Sequence, residues 1–414
     1  MSSDHEAIVV GAGVAGSTAA ALLAAAGWSV ALVERRPFPR RKVCGECVAA
    51  PNLPLLDALG VGVAFAALAG PPLERVALYA GDEIIEADLP RAADARHPWG
   101  RALGRAELDA LLMRRAAELG ATLFQACDVR AVRGAPGAYV AEVREARGAR
   151  RELHAPVIVR AHGSWERSPG AGSTRDRGPR ASDLFAFKAD FAGARLARGS
   201  LPVLAFPGGY GGMVVAERGR VTVACCIRRD RLRRCRASAR GAPAGLAVER
   251  LLEEHCLGVR RALAGARRVG PWLAVGPLAP GARPTWDERS GFAVGNAAGE
   301  AHPILGEGIS MAMQSAWLLC DLLRPERARL VRGAGHREVA RRYAARWRRR
   351  FAGRLAWSAL YAGLAMRPGA RVLLPLLKRH PEWLTLAARL GGKAQRFAAR
   401  DGVSLSAASF EGTS

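Results

Sequence analysis

Three groups of residues have types and spacings that could do chemistry. The first is Gly11-x-Gly13-x-x-Gly16 with Glu34 further on. Gly11 permits a tight turn, Gly13 lets the backbone approach a pyrophosphate, and Gly16 lets a helix pack flat on its sheet. Small residues continue at Ala20 and Gly27, and Glu34 falls where a carboxylate can bridge both hydroxyls of an adenosine ribose. The second group, Gly295-Asn296 followed by Gly306-Glu307-Gly308, opens a helix whose N-terminus favours negative charge. The third is Cys44-Gly45-Glu46-Cys47, spaced as a redox dithiol or half of a zinc site. A zinc knuckle needs a second such pair, and the sequence has none, so no metal is expected. Tyr210, inside the glycine-rich 206–212 element, and His302, before a proline, are candidate proton donors or substrate positioners. The competing readings are a packing tyrosine and a loop histidine.

Positioning these groups requires a strand, a helix and a second strand over residues 7–35. No charge occurs from Ala7 to Val33, long enough to imitate a membrane span or export signal. Glycines interrupt that run and acidic Asp4 and Glu6 precede it, so a buried parallel-sheet unit without a targeting segment is expected. Downstream, 75–87 reads as a hairpin about Gly81-Asp82, and 99–119 as a strand becoming a helix. Residues 121–132 read as one strand and 152–160 as another, followed by a Gly, Pro, Ser and Arg-rich loop to 180. Residues 184–191 alternate like a half-buried strand, while 204–215 and 220–228 read as sheet neighbours. From Arg324 to Arg354 the chain carries twelve arginines against two glutamates. There Val339, Tyr343, Trp347, Phe351 and Leu355 recur every fourth residue, the pattern of a basic amphipathic helix. It suits either a cap on a substrate pocket or peripheral contact with anionic lipid.

A hydrophobic fraction of 50% excludes a disordered chain. The net charge of +25 would suit a polyanion, but 58 of the 62 basic residues are arginine in an Ala- and Gly-rich chain, a bias that a GC-rich genome also produces. With no nucleic-acid module present, no nucleic acid partner is expected. Eight scattered cysteines fit a reducing cytoplasm rather than a disulfide framework.

Lys42, Cys44 and Gly45 match the Lys-x-Cys-Gly element of geranylgeranyl reductases, and Gly45-Glu46 matches the start of Gly-Glu-Ser in phenolic halogenases, with Cys47 replacing serine. From about residue 6 to 320 the chain thus resembles the flavoprotein superfamily of geranylgeranyl reductases, p-hydroxybenzoate-type hydroxylases and flavin-dependent halogenases. The resemblance implies an α/β, glutathione-reductase-like Rossmann-type FAD-binding domain, an inserted β-sheet substrate domain and a C-terminal helical region. Their expected bounds are 1–75, 100–180 and 280–325 for the FAD domain, 76–99 and 181–279 for the substrate domain, and 326–414 for the helical cap. It implies FAD contacts from Gly11, Gly13, Val14, Ala15, Gly16, Glu34, Arg35, Arg41, Cys44 and Gly45. Further contacts are implied for Arg105 at the pyrophosphate, Val129 at adenine, and Gly295, Asn296, Pro303, Gly306, Gly308 and Ile309. Two departures stand out: Asn296 replaces an acid that holds a ribityl hydroxyl, and His162 replaces the acid of an Asp-Gly motif that helps seat nicotinamide.

The function expected first is a cytoplasmic FAD-dependent monooxygenase or oxidase for a lipophilic aromatic or polyketide-like molecule of secondary metabolism. Its electrons would come from NAD(P)H as a transient reductant or from a separate flavin reductase. Isoprenoid reduction with Cys44 as proton donor, halogenation, and a non-catalytic flavin-fold binding protein are the alternatives. No Trp-x-Trp-x-Ile-Pro element of the tryptophan-halogenating branch is present.

Overall fold

The computed structural model of the chain describes residues 4–164, 178–239, 241–395 and 397. Most of the expected 164–180 loop, and the last of the helix expected to about Arg400, lie outside the described residues.

The strand Ala7–Val10 explains the first domain. Ala7 and Val9 enter a core shared with helices, while Ile8 enters a separate core on the opposite face. A strand buried on both faces has no polar alternation, hence the continuous apolar run. It pairs in parallel with Val30–Glu34 and Val157–Arg160, Ala7 lying opposite Val30 and Val157. Thr122–Gln125, Gly291–Ala293 and an antiparallel Trp286–Asp287 complete six strands. Helices Val14–Ala25, Arg105–Glu118 and Gly308–Leu323 cover one face, and the ribbon Cys127–Ala135, Ala138–Glu145 and Arg150–Ala155 covers the other.

The single strand expected over 121–132 is two, divided at Ala126 with φ 59°. The strand expected over 152–160 is also two, divided at Pro156, which has no N–H for a ladder. Both breaks move the chain between the parallel sheet and the ribbon.

A second, eight-stranded sheet takes its strands from residues 75–88 and 184–278. Helices Arg229–Ser238, Ala244–His255 and Leu257–Leu263 pack on one face around Phe187, Phe191, Leu204 and Val223. Leu184–Ala192 is buried almost throughout rather than half-buried. Its Lys188 and Asp190, on the face away from the helices, are covered by the loop that carries Arg41 and Glu46. Residues 204–215 form a hairpin, Ser200–Phe206 and Gly209–Val215, turning at Pro207-Gly208.

The basic stripe lies on one 30-residue helix, His336–Ala365. Val339, Tyr343, Trp347 and Phe351 are all buried in the first domain's core, and the Tyr343 hydroxyl donates to the Ala293 carbonyl at 2.9 Å. This stripe is therefore core, not the lipid-facing surface that its amphipathic pattern also allowed. At the other end of the helix Ala362 joins Tyr210 in a small apolar cluster, tying the two sheets together.

Candidate functional site

The site begins at the glycine turn. Gly11 has φ 102°, and a Cβ there would lie 2.7 Å from the Ala161 carbonyl oxygen. A Cβ on Gly16 would fall 1.8 Å from the Gly11 oxygen, so neither position admits a side chain. Gly13 differs: its missing Cβ faces space bounded by the Lys42 Nζ at 3.6 Å and the Arg105 Nη2 at 3.7 Å. A bare backbone at a helix N-terminus with two cations over it fits a diphosphate. Both cations are held by the fully buried Asp109, which accepts from Lys42 at 2.6 Å and from Arg105 Nε and Nη2 at 2.8 and 2.9 Å. Burial works against the Arg105 charge, but Asp109 more than offsets it and the guanidinium pKa is raised; for Lys42 burial prevails and the pKa is lowered.

Glu34 ends its strand with a buried carboxylate that accepts from the Ala12 and Arg36 amides, each at 2.9 Å. Those bonds lock the glycine turn to the neighbouring strand, and a carboxylate retains lone pairs for a ribose.

Beyond the cradle a continuous cavity of about 1100 Å³ runs to the second sheet. That exceeds the roughly 300–1,000 Å³ of a pocket for one drug-sized ligand and suits a dinucleotide cofactor with a substrate beside it. Gly11, Gly13, Val14, Ala15, Glu34, Arg35, Arg41, Cys44, Gly45, Arg105, Val129, Gly295, Asn296, Pro303, Gly306, Gly308 and Ile309 all line it. Gly16 does not; its part is the close contact with Gly11. The Arg41 guanidinium is already engaged by Asp190 at 2.7 Å.

Tyr210 lines the cavity with its phenol pKa raised, chiefly by burial. His302 does not line it. The imidazole stands behind Tyr210, Nδ1 3.2 Å from the hydroxyl, and burial lowers its pKa. Glu300, two residues earlier and almost fully buried, lines the cavity instead, its pKa raised by burial. His162 also lines the cavity; burial first, then the Arg160 charge, lower its pKa to about 4, so the ring is neutral near pH 7.

Two residues that shape the site were not among those expected: Asp109, buried behind the cavity wall, and Lys393, which lines it. Asp109 follows Arg105 by four residues on one helix face, a pairing that spacing alone could have suggested. Lys393 had no such signal: it comes from the C-terminal segment to lie 3.5 Å from the Cys47 sulfur and 3.2 Å from the buried Glu307. Among the described residues no group of His, Cys, Asp or Glu could hold a metal.

Asn296 donates from Nδ2 to the Ser164 hydroxyl at 2.8 Å, and its carbonyl accepts from Arg283 at 2.6 Å. Restoring an acid with Asn296→Asp should make a bound flavin harder to reduce. One to two kcal/mol of added repulsion, about the size expected for a nearby charge, corresponds to a midpoint potential lower by roughly 20–40 mV for a two-electron couple. Spectroelectrochemical titration would read this, and an unchanged or raised potential would refute it.

Residues 4–182 match a family model described as an FAD binding domain. A tryptophan 2-halogenase of Chondromyces crocatus is 35% identical over 127 residues, 31% of this chain and 24% of that protein. A menaquinone reductase of Mycobacterium tuberculosis is 35% identical over 126 residues, 30% of each. The chain thus aligns with less than a third of the length of either relative. Among solved structures, the myxobacterial chondrochloren halogenase CndH superposes with a TM-score of 0.74 at 20% identity, covering 94% of this chain and 90% of that one. A geranylgeranyl bacteriochlorophyll reductase-like protein of Thermoplasma acidophilum gives 0.71 at 18% identity, covering 97% and 94%. PqsL of Pseudomonas aeruginosa, a probable FAD-dependent monooxygenase, gives 0.66 at 18%, covering 87% and 96%. Residues 4–182 thus match an FAD-binding domain, and the chain as a whole shares its fold with these flavoproteins.

Proposed function

We propose that the protein is an FAD-dependent monooxygenase or oxidase acting on a lipophilic aromatic or polyketide-like small molecule. The observation that carries this reading is the single cavity joining the diphosphate cradle to an apolar wall of the second sheet. When bound, FAD supplies hydride and oxygen chemistry. The chain's own part is to hold and exclude. Gly13, Lys42 and Arg105 fix the diphosphate end. Val76, Leu78, Leu201 and Val203 offer a substrate only apolar contact and keep water from it. Tyr210 places one neutral hydroxyl on that wall, positioned by His302, able to donate a hydrogen bond to a substrate oxygen. A neutral His162 in place of the Asp-Gly acid speaks against firm nicotinamide docking and favours electrons from a separate reductase over a transiently docked NAD(P)H.

A second reading, reduction of an isoprenoid or quinone, is supported by Cys44, which lines the same cavity, and by the relative named as a menaquinone reductase. Among the described residues no helix is long and apolar enough to cross a membrane.

The test is to reduce the purified flavoprotein, admit oxygen with a panel of phenolic, polyketide and isoprenoid compounds, and measure product masses. Gain of one oxygen, or loss of two hydrogens, supports the first reading. Gain of two hydrogens supports the second, and halogen for hydrogen would displace both. Against any accepted substrate Tyr210→Phe should lower kcat tenfold or more with FAD content unchanged; undiminished turnover would remove Tyr210 from the chemistry.

A further inference from the structure

Large apolar side chains are exposed unevenly. Of the twelve most exposed among the described residues, eight fall between Trp357 and Leu386. They lie at the end of the long helix (Leu360, Leu364), in the 3-10 segment Pro368–Leu373 (Val372, 80% exposed), and on the helices Leu374–Arg379 (Leu376) and Glu382–Leu390 (Trp383, Leu386). Monomeric proteins rarely leave such side chains contiguous without a use.

This surface adjoins the cavity. Leu364, Leu376, Trp383 and Leu386 are exposed and also line it, so they form its lip. On the helix Glu382–Leu390, Leu384, Ala387 and Ala388 line the cavity while Trp383, Leu386 and Arg389 recur at three-residue spacing among its exposed positions. Charge is equally one-sided. From residue 355 to 390 the sequence has Arg367, Arg371, Lys378, Arg379 and Arg389 against Glu382 alone. Arg367, Arg379 and Arg389 are exposed. Large apolar side chains, a tryptophan and surrounding cations, on short helices that cannot span a bilayer, have the composition of an interfacial surface.

We propose that this lip docks on an anionic lipid bilayer, with Trp383 and Leu386 entering the headgroup boundary and the arginines facing lipid phosphates. The cavity then opens toward the membrane and receives its lipophilic substrate without exposing it to water. Only this last statement rests on the proposed function. Docking is read without turnover, so it fails or stands separately from the reaction.

The test uses the full-length flavoprotein in flotation with vesicles of phosphatidylglycerol and phosphatidylcholine, with phosphatidylcholine alone, and at rising salt. Binding is expected to vesicles with the anionic lipid, to weaken with salt, and to fall tenfold or more in Leu360→Ser/Val372→Ser/Leu386→Ser. The variant Arg379→Gln/Arg389→Gln should lose the preference for anionic lipid. FAD content and thermal midpoint, read alongside, identify any variant that has misfolded; single Val372→Ser, outside the cavity, then takes its place, with a threefold or larger loss expected. Absence of wild-type binding at low salt, or variant binding equal to wild type, would overturn the proposal. So would elution of wild type as a dimer that the apolar variant converts to monomer while vesicle binding persists, since a second copy would then be the occupant.

Discussion

Glu46→Gln is expected to destabilise the protein by about 3–5 kcal/mol, the cost of breaking a buried ion pair from one side. Glu46 is 1% exposed and engages Lys188, itself 1% exposed; it also accepts from Arg220 at 3.0 Å, the Thr222 hydroxyl at 2.6 Å and the Arg105 amide at 3.1 Å. Glutamine keeps the shape and removes the charge. Lys188 then retains only Asp190, 3.5 Å away and already shared with Arg41 and Arg220, which places the effect toward the lower end of the range. Burial alone would raise the Glu46 pKa, but the Lys188 and Arg220 charges prevail and hold it at about 2. A carboxyl depressed from 4.5 to about 2 contributes stability that is complete above pH 4.5 and is lost as pH falls toward 2. Wild type should therefore weaken through that window more than the variant does. Urea unfolding at pH 7 and pH 4 measures both effects, and a loss below 1 kcal/mol at pH 7 would show that Asp190 suffices. The pair also matters to the site, because Glu46 fastens the loop bearing Cys44 and Gly45 to the second sheet.

The second large effect is on cofactor retention. Arg105→Ala should weaken FAD binding roughly 10- to 100-fold, since a hydrogen bond to a charged group is worth about 1.5–3 kcal/mol and each 1.4 kcal/mol is tenfold. Arg105 Nη2 stands 3.7 Å from where a Cβ on Gly13 would lie, and its removal leaves the buried Asp109 to Lys42 alone. Arg105→Lys should recover part of the loss, lacking the two-nitrogen contact with Asp109. Titration of the apoprotein with FAD reads the dissociation constant; one equal to wild type in Arg105→Ala would take the arginine away from the diphosphate.

The parts of the site that local spacing encodes were legible. The glycine turn, Glu34 and the 295–308 segment each carry their motif within a short stretch and line one cavity, although Gly11 closes on Ala161 and Asn296 bonds Ser164 far along the chain. The division of the strands at Ala126 and Pro156 was not, because an apolar run does not say which of two adjoining layers it joins. The stripe of Val339, Tyr343, Trp347 and Phe351 shows the same limit: amphipathicity reports that a face is covered but not by what, and here the cover is the first domain's core. Lys393 beside Cys47, and Lys188 against Glu46, join residues remote in sequence through tertiary packing alone. His302 was misplaced by one layer: proline follows it and Tyr210 takes the cavity wall in front.

Residues 11–34, Arg105 and 295–309 are proposed to hold one FAD together. The direct measurement is the visible absorbance of the purified protein, followed by denaturation and mass identification of the released cofactor. The expected result is a yellow protein releasing FAD at about one per chain, or a colourless apoprotein that becomes yellow with added FAD and does so poorly as Arg105→Ala. A colourless protein that gains no flavin absorbance with excess FAD would contradict it.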